Sequence, residues 1–243
     1  HTRSSAASDV YKRQGNLLAA TSDGFKMINP DSGQIASLSN PIDDHSNSRF
    51  NDGKCDHWGR LWAGSLRYDF LPCGGSLWRL DKFFNSTQMI EGVTISNGLA
   101  WSLDRKYFYY IDTPTLQVKQ FLISESGNLI GDGDVCIQIP SEWNCSPDGM
   151  SIDCNGMLWI ALWGGGAVTC WNPSDGSHLA TVEIPCSLVT SCCFGGSAFD
   201  KLFITTATYD LSQESLSSMP HAGGIFMADV DVAGMPAYCF IEQ

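Results

Sequence analysis

Three short stretches place an Asn or Asp beside a Gly at the head of a run of alternating apolar residues. They are Arg49-Phe50-Asn51-Asp52-Gly53, Ser96-Asn97-Gly98-Leu99 and Pro147-Asp148-Gly149-Met150. Each reads as a tight turn entering a strand. Asn51, Asn97 and Asp148 are separated by 46 and 51 residues. A chain that repeats at that interval would carry the three side chains to equivalent places on neighbouring units. Oxygen ligands converging on one axis are what a hard divalent cation needs. The two amides supply oxygen without charge, so Asp148 is the one carboxylate of this set. Such a set holds Ca²⁺ weakly, because affinity follows ligand charge and rigidity.

Other chemistries find less support. The five histidines show no HExxH or paired spacing, and no serine sits in a GxSxG elbow. Ten cysteines occur without a CxxC and without the density of a disulfide scaffold. They read as reduced, small apolar residues of a reducing, cytoplasmic compartment, and Cys192-Cys193 as packing. Asp52 and Lys54 read as turn and surface, and Asp104, Asp153 and Asp200 as repeat turns. A net charge of −12 argues against nucleic acid and anionic membrane as partners. No apolar run approaches the length that spans a bilayer.

The elements that must position these residues repeat. Gly15-Asn16-Leu17-Leu18-Ala19-Ala20 aligns with Gly59-Arg60-Leu61-Trp62-Ala63-Gly64, and then with strands beginning at Lys106, Gly156 and Lys201. A second strand follows each, at Gly24, Gly75, Leu116, Ala167 and Gly224. Asn29-Pro30-Asp31-Ser32-Gly33 returns as Asn172-Pro173-Ser174-Asp175-Gly176. Five repeats of short alternating strands, bounded by Gly, Asp, Asn and Pro turns, predict an all-β protein of the β-propeller class. The period is too long for a β-helix and too regular for a sandwich. Helical periodicity is nearly absent, and Leu211 to Met219 reads as a loop. Trp62, Trp78, Trp159 and Trp171 fall on repeat strands, as core between blades.

His1 to Gln14 fit none of this pattern. Asp9-Val10-Tyr11-Lys12-Arg13-Gln14 can be encoded by the end of a transposase adapter used in sequencing libraries. Residues 1–14 are therefore expected to be a translated artefact, and 15–243 an incomplete propeller.

The motifs resemble the senescence marker protein, regucalcin and gluconolactonase family. The resemblance rests on Arg49-Phe50-Asn51-Asp52-Gly53-Lys54, Ile95-Ser96-Asn97-Gly98-Leu99, Pro147-Asp148-Gly149-Met150, Ser191-Cys192-Cys193-Phe194-Gly195-Gly196 and Ala222-Gly223-Gly224-Ile225-Phe226, in the family's order and spacing. It implies a six-bladed β-propeller, here with about five blades because the first is missing. It implies one divalent cation, Ca²⁺, Zn²⁺ or Mn²⁺, and hydrolysis of sugar lactones. Residue by residue it implies Asn97 and Asp148 as metal ligands and Asp148 as general base. Arg49 and Asn51 would contact substrate hydroxyls and a metal-bound water. Asp69 falls where relatives carry a substrate-touching Glu. The family's remaining ligand, a Glu of the first blade, has no counterpart here, so impaired metal binding, activity and stability are expected. Two alternatives stand beside the hydrolase: a non-catalytic propeller that binds calcium or a protein, and a luciferin-regenerating relative.

Overall fold

A computed structural model describes residues 10–11, 15–42 and 46–241. Most of the 1–14 stretch, together with His45, lies outside the described residues. Among the described residues no helix is long and apolar enough to cross a membrane.

The chain forms five antiparallel sheets, each built from strands consecutive in sequence. This is the blade topology of a β-propeller, with five blades among the described residues. The first sheet holds β1 (Val10–Tyr11), β2 (Leu17–Thr21), β3 (Gly24–Ile28) and β4 (Ile35–Ser39). The second holds β5 (Ser48–Cys55), β6 (Leu61–Arg67), β7 (Gly75–Leu80) and β8 (Ser86–Val93). The third holds β9 (Ser96–Trp101), β10 (Tyr107–Asp112), β11 (Gln117–Ile123) and β12 (Leu129–Gln138). The fourth holds β13 (Ser146–Ile152), β14 (Leu158–Trp163), β15 (Ala167–Trp171) and β16 (His178–Glu183). The fifth has three strands, β17 (Val189–Gly195), β18 (Lys201–Thr206) and β19 (Ile225–Asp229), and its edge strand turns Ile225 and Met227 to solvent. All ten strands read from the repeat are present.

The chain divides into two compact units, with the division inside β9 after Asn97. The first unit runs to Asn97 and takes in residues 125–128 and 237–243. Its core packs Leu18, Phe25, Phe50, Cys55, Leu61 and Leu80 around Phe240, contributed by the C-terminal segment. The Ile241 amide donates to the Gly59 carbonyl at 3.0 Å and fixes that segment to the β5–β6 turn.

The second unit has two cores, and β14 feeds both. Strand alternation sends Leu158, Ile160 and Leu162 to one, with Ile111, Val118 and Met150. It sends Trp159 and Ala161 to the other, with Val189, Cys192, Leu202 and Ile204. A strand buried on both faces reads as a continuous apolar run. Each fully buried Leu or Ile contributes roughly 1.5–3 kcal/mol.

One turn is built twice around the same Asp, Gly and Trp. Asp56 accepts from the backbone amides of Trp58 and Arg60 and from Trp62 Nε1, and Asp153 accepts from the amides of Asn155 and Met157 and from Trp159 Nε1. Both aspartates are buried, so Asp153 is more than a turn former: its carboxylate ties the turn to a core tryptophan.

Leu211–Met219, read as a loop, contains a short helix, α1 (Gln213–Ser218). Ser212 caps it by accepting from the Ser215 amide, and Glu214 complements the first turn. None of its residues is buried, so it has no apolar face to produce a periodic signal.

Candidate functional site

The three Asn/Asp–Gly stretches are not turns. Asn51, Asn97 and Asp148 lie inside β5, β9 and β13, the first strand of each sheet in chain order. In β5, Phe50 pairs with Ser65 but Gly53 with Ala63, so Asn51 and Asp52 together oppose one residue, Gly64. In β13, Pro147 pairs with Leu162 and Met150 with Ile160, so Asp148 and Gly149 oppose Ala161. In β17 a third register shift falls at Thr190. A β-bulge of this kind inserts an extra residue and re-aims its side chain. The small residue beside the acid or amide serves the bulge and close strand packing. A side chain at Gly149 would strike Ser191, and a Cβ at Gly98 would lie 2.8 Å from the Asp148 carbonyl oxygen.

In the first unit the polar side chains form a chain of hydrogen bonds. Arg49 Nη1 donates to the Phe50 carbonyl at 2.9 Å and to Asn51 Oδ1 at 2.7 Å. Asn51 Nδ2 donates to the Ser96 carbonyl at 2.8 Å and to Asn97 Oδ1 at 2.9 Å. Asn97 is buried. Its amide oxygen is thus held in a fixed direction by Asn51, which is itself oriented by Arg49. An amide oxygen has two lone pairs, so this bond is compatible with ligation of a cation.

In the second unit, Asp148 is half-buried at the bulge. Thr113, just after β10, donates through Oγ1 to the Pro147 carbonyl at 2.8 Å and steadies the residue before Asp148.

Asp69 has a different situation. It follows β6, is exposed, and receives Arg67 Nε at 2.9 Å and Nη2 at 2.8 Å in a bidentate pair. The Arg67 guanidinium and the Leu71 amide hold its carboxyl down to about 2. A substrate at Asp69 would meet an acid already paired.

Asp52 was read as turn and surface; the structure instead sets it in the β5 bulge next to Asn51. The residue is half-buried, yet packing around its carboxyl raises the pKa, against the opposing effects of Lys54 and the Gly53 amide, which donates at 2.7 Å. An acid with a raised folded pKa contributes stability that is complete below the ordinary carboxylate pKa of about 3.9 and is lost as pH rises through the folded value. Asp52→Asn should therefore melt higher than wild type at pH 7, with the difference closing below about pH 3.9. Melts of the two proteins by circular dichroism across that range check this.

Amide and carboxylate oxygens are the ligand types a hard cation takes, and among the described residues no cluster of three His, Cys, Asp or Glu offers a softer or more highly charged site. The sequence reading missed Ser96 and Thr113, which act through a backbone carbonyl and on one, and so leave no signature of type or spacing.

Residues 2–208 match the family description SMP-30/Gluconolactonase/LRE-like region. Regucalcin of Oryctolagus cuniculus is 36% identical over 237 residues, covering 95% of this chain and 79% of that protein. Among solved structures, a calcium-binding protein, regucalcin, from Agrobacterium tumefaciens strain C58 superposes with a TM-score of 0.92 at 24% identity, over 99% of this chain and 81% of that one. A luciferin-regenerating enzyme superposes with a TM-score of 0.87 at 28% identity, over 95% and 79%. With its blade topology, its bulged strands and these matches, the chain belongs to the SMP-30/gluconolactonase/LRE-like family.

Proposed function

We infer that the chain is a metal-dependent hydrolase of sugar lactones. The observation that carries this reading is the Arg49–Asn51–Asn97 hydrogen-bond chain, which holds the buried Asn97 amide oxygen in a fixed direction. Membership of a family named for gluconolactonase supports the substrate class. The relative described as a calcium-binding protein supports a divalent cation, and Ca²⁺, Zn²⁺ and Mn²⁺ are all candidates.

Asn97 and Asp148 are the proposed ligands, with the amide neutral and the carboxylate supplying charge. The cation, when bound, supplies electrophilic polarisation of the lactone carbonyl. Asp148 takes a proton from the water that attacks that carbonyl, and later returns it to the ring oxygen as the acyl C–O bond breaks. The product is the open-chain hydroxy acid. Arg49 holds substrate hydroxyls as a donor and Asn51 as an acceptor through Oδ1, while the Asn51 Nδ2 group, donating to Asn97 Oδ1, keeps that oxygen in place. Asp69 completes the proposed substrate contacts by way of its pairing with Arg67. The ten free thiols fit a reducing, cytoplasmic setting.

The test is hydrolysis of glucono-δ-lactone, followed by proton release, in chelated protein and after adding each cation. Cation-dependent turnover supports the hydrolase. Cation binding without turnover of any lactone would favour the non-catalytic calcium-binding reading instead.

A further inference from the structure

Within the second unit, an aromatic pair stands at the end of the sheet that carries Asp148. Trp163 closes β14 and pairs with Ser146, two residues before Asp148, while Leu162 pairs with Pro147. Leu188 bridges to Trp163, and the Ala207 amide donates to the Leu188 carbonyl at 2.9 Å. The long connection that follows β18 therefore begins alongside Trp163. Two residues on, the Tyr209 ring meets the Trp163 ring with centroids 6.2 Å apart and planes at 53°.

This pair differs from the core tryptophans of the unit. Trp159 and Trp171 are 5% and 3% exposed, and their indole N–H groups donate to Asp153 and Thr169. Trp163 is half-buried, and Tyr209 is 55% exposed. After Trp163 come Gly164, Gly165 and Gly166, which carry no side chain to cover the indole. Gly164 and Gly166 have φ of +84° and +61°, so the turn that follows Trp163 suits glycine.

We propose that Trp163 and Tyr209 form an aromatic platform beside Asp148 that stacks on the C–H face of a sugar ring and so selects sugar lactones over small aliphatic ones. The chemistry is complementary. The π-face of an aromatic ring is negative, and the C–H bonds on one face of a saturated sugar ring present weak positive charge and apolar area. Ligand sites combine such apolar walls with a few placed polar groups, and here Asp148 lies two residues along β13 from the Ser146 that pairs with Trp163. The proposal rests on the lactonase reading and adds a specificity determinant to it.

The test compares the full chain with Tyr209→Leu, Tyr209→Phe and Trp163→Leu on glucono-δ-lactone and γ-butyrolactone. Tyr209 is exposed, so its variants should keep the fold even if Trp163→Leu does not. Tyr209→Leu and Trp163→Leu should raise KM for gluconolactone by roughly three- to tenfold, with kcat little changed. KM for butyrolactone should not move, and Tyr209→Phe should behave as wild type. An unchanged gluconolactone KM in Tyr209→Leu, or equal losses on both lactones, would overturn the platform and leave the hydrolase reading intact. If wild type turns over no lactone, that reading fails, and D-glucose titration followed by tryptophan fluorescence then decides the platform. A signal lost in Trp163→Leu upholds it, and no signal in wild type ends it.

Discussion

Asp148→Asn is expected to lower kcat/KM for glucono-δ-lactone by roughly 10²–10⁴-fold, the usual contribution of a positioned general base. The substitution conserves shape and hydrogen-bonding capacity. It removes the ability to take a proton and the one charge of the donor set, so cation affinity should fall with it. Asp148 is half-buried at a bulge rather than in the core, so the variant should fold. Its circular dichroism spectrum and melt should match those of wild type. Steady-state kinetics at saturating cation check the claim. Activity within about threefold of wild type would remove Asp148 from the chemistry.

The largest effect on stability is expected far from that chemistry, at Asp56. Its carboxylate is fully buried and accepts four hydrogen bonds, from the Trp58 amide at 3.0 Å, the Arg60 amide at 2.9 Å, Arg60 Nε at 2.7 Å and Trp62 Nε1 at 2.7 Å. Arg60, with its side chain 13% exposed, also donates to the Ser126 and Gly127 carbonyls. Asp56→Ala would take the carboxylate from a mostly buried guanidinium and leave an indole N–H and two turn amides without this acceptor. Breaking a buried pair from one side costs about 3–5 kcal/mol. For a chain of this size each kcal/mol moves Tm by roughly 2–4 °C, so a fall of roughly 6–20 °C is expected. Asp56→Asn keeps an acceptor oxygen and should lose less. Differential scanning calorimetry distinguishes these outcomes, and a shift of less than about 2 °C for Asp56→Ala would show that the network contributes little.

Much of the fold was legible because a propeller repeats its signals. Gly59-Arg60-Leu61-Trp62 and Gly156-Met157-Leu158-Trp159 announce the same turn and strand, and both form as read. The Asp–Trp pairing has an equally local signature: Asp56 and Asp153 each precede a Gly by three residues and a Trp by six. The positions of Asn51 and Asp148 were legible, but their setting was not. An Asn or Asp beside Gly signals a turn by composition alone, whereas a bulge within a strand depends on pairing with a partner that local sequence does not specify. Asp52 was misread for the same reason, since desolvation is a property of packing. Arg67, two residues from Asp69, gave no warning in the motif, and only geometry reveals that it takes the carboxylate in both arms. Trp163 and Tyr209 lie 46 residues apart in sequence and meet through Leu188, a contact with no local signature.

Asn97 and Asp148, from the first strands of successive sheets, are proposed to grip one ion, and isothermal titration calorimetry with Ca²⁺ and Mn²⁺ tests this most directly. The full chain should bind a single cation, and both Asn97→Ala and Asp148→Asn should abolish or sharply weaken that binding while remaining folded. Wild-type isotherms from both variants would contradict it.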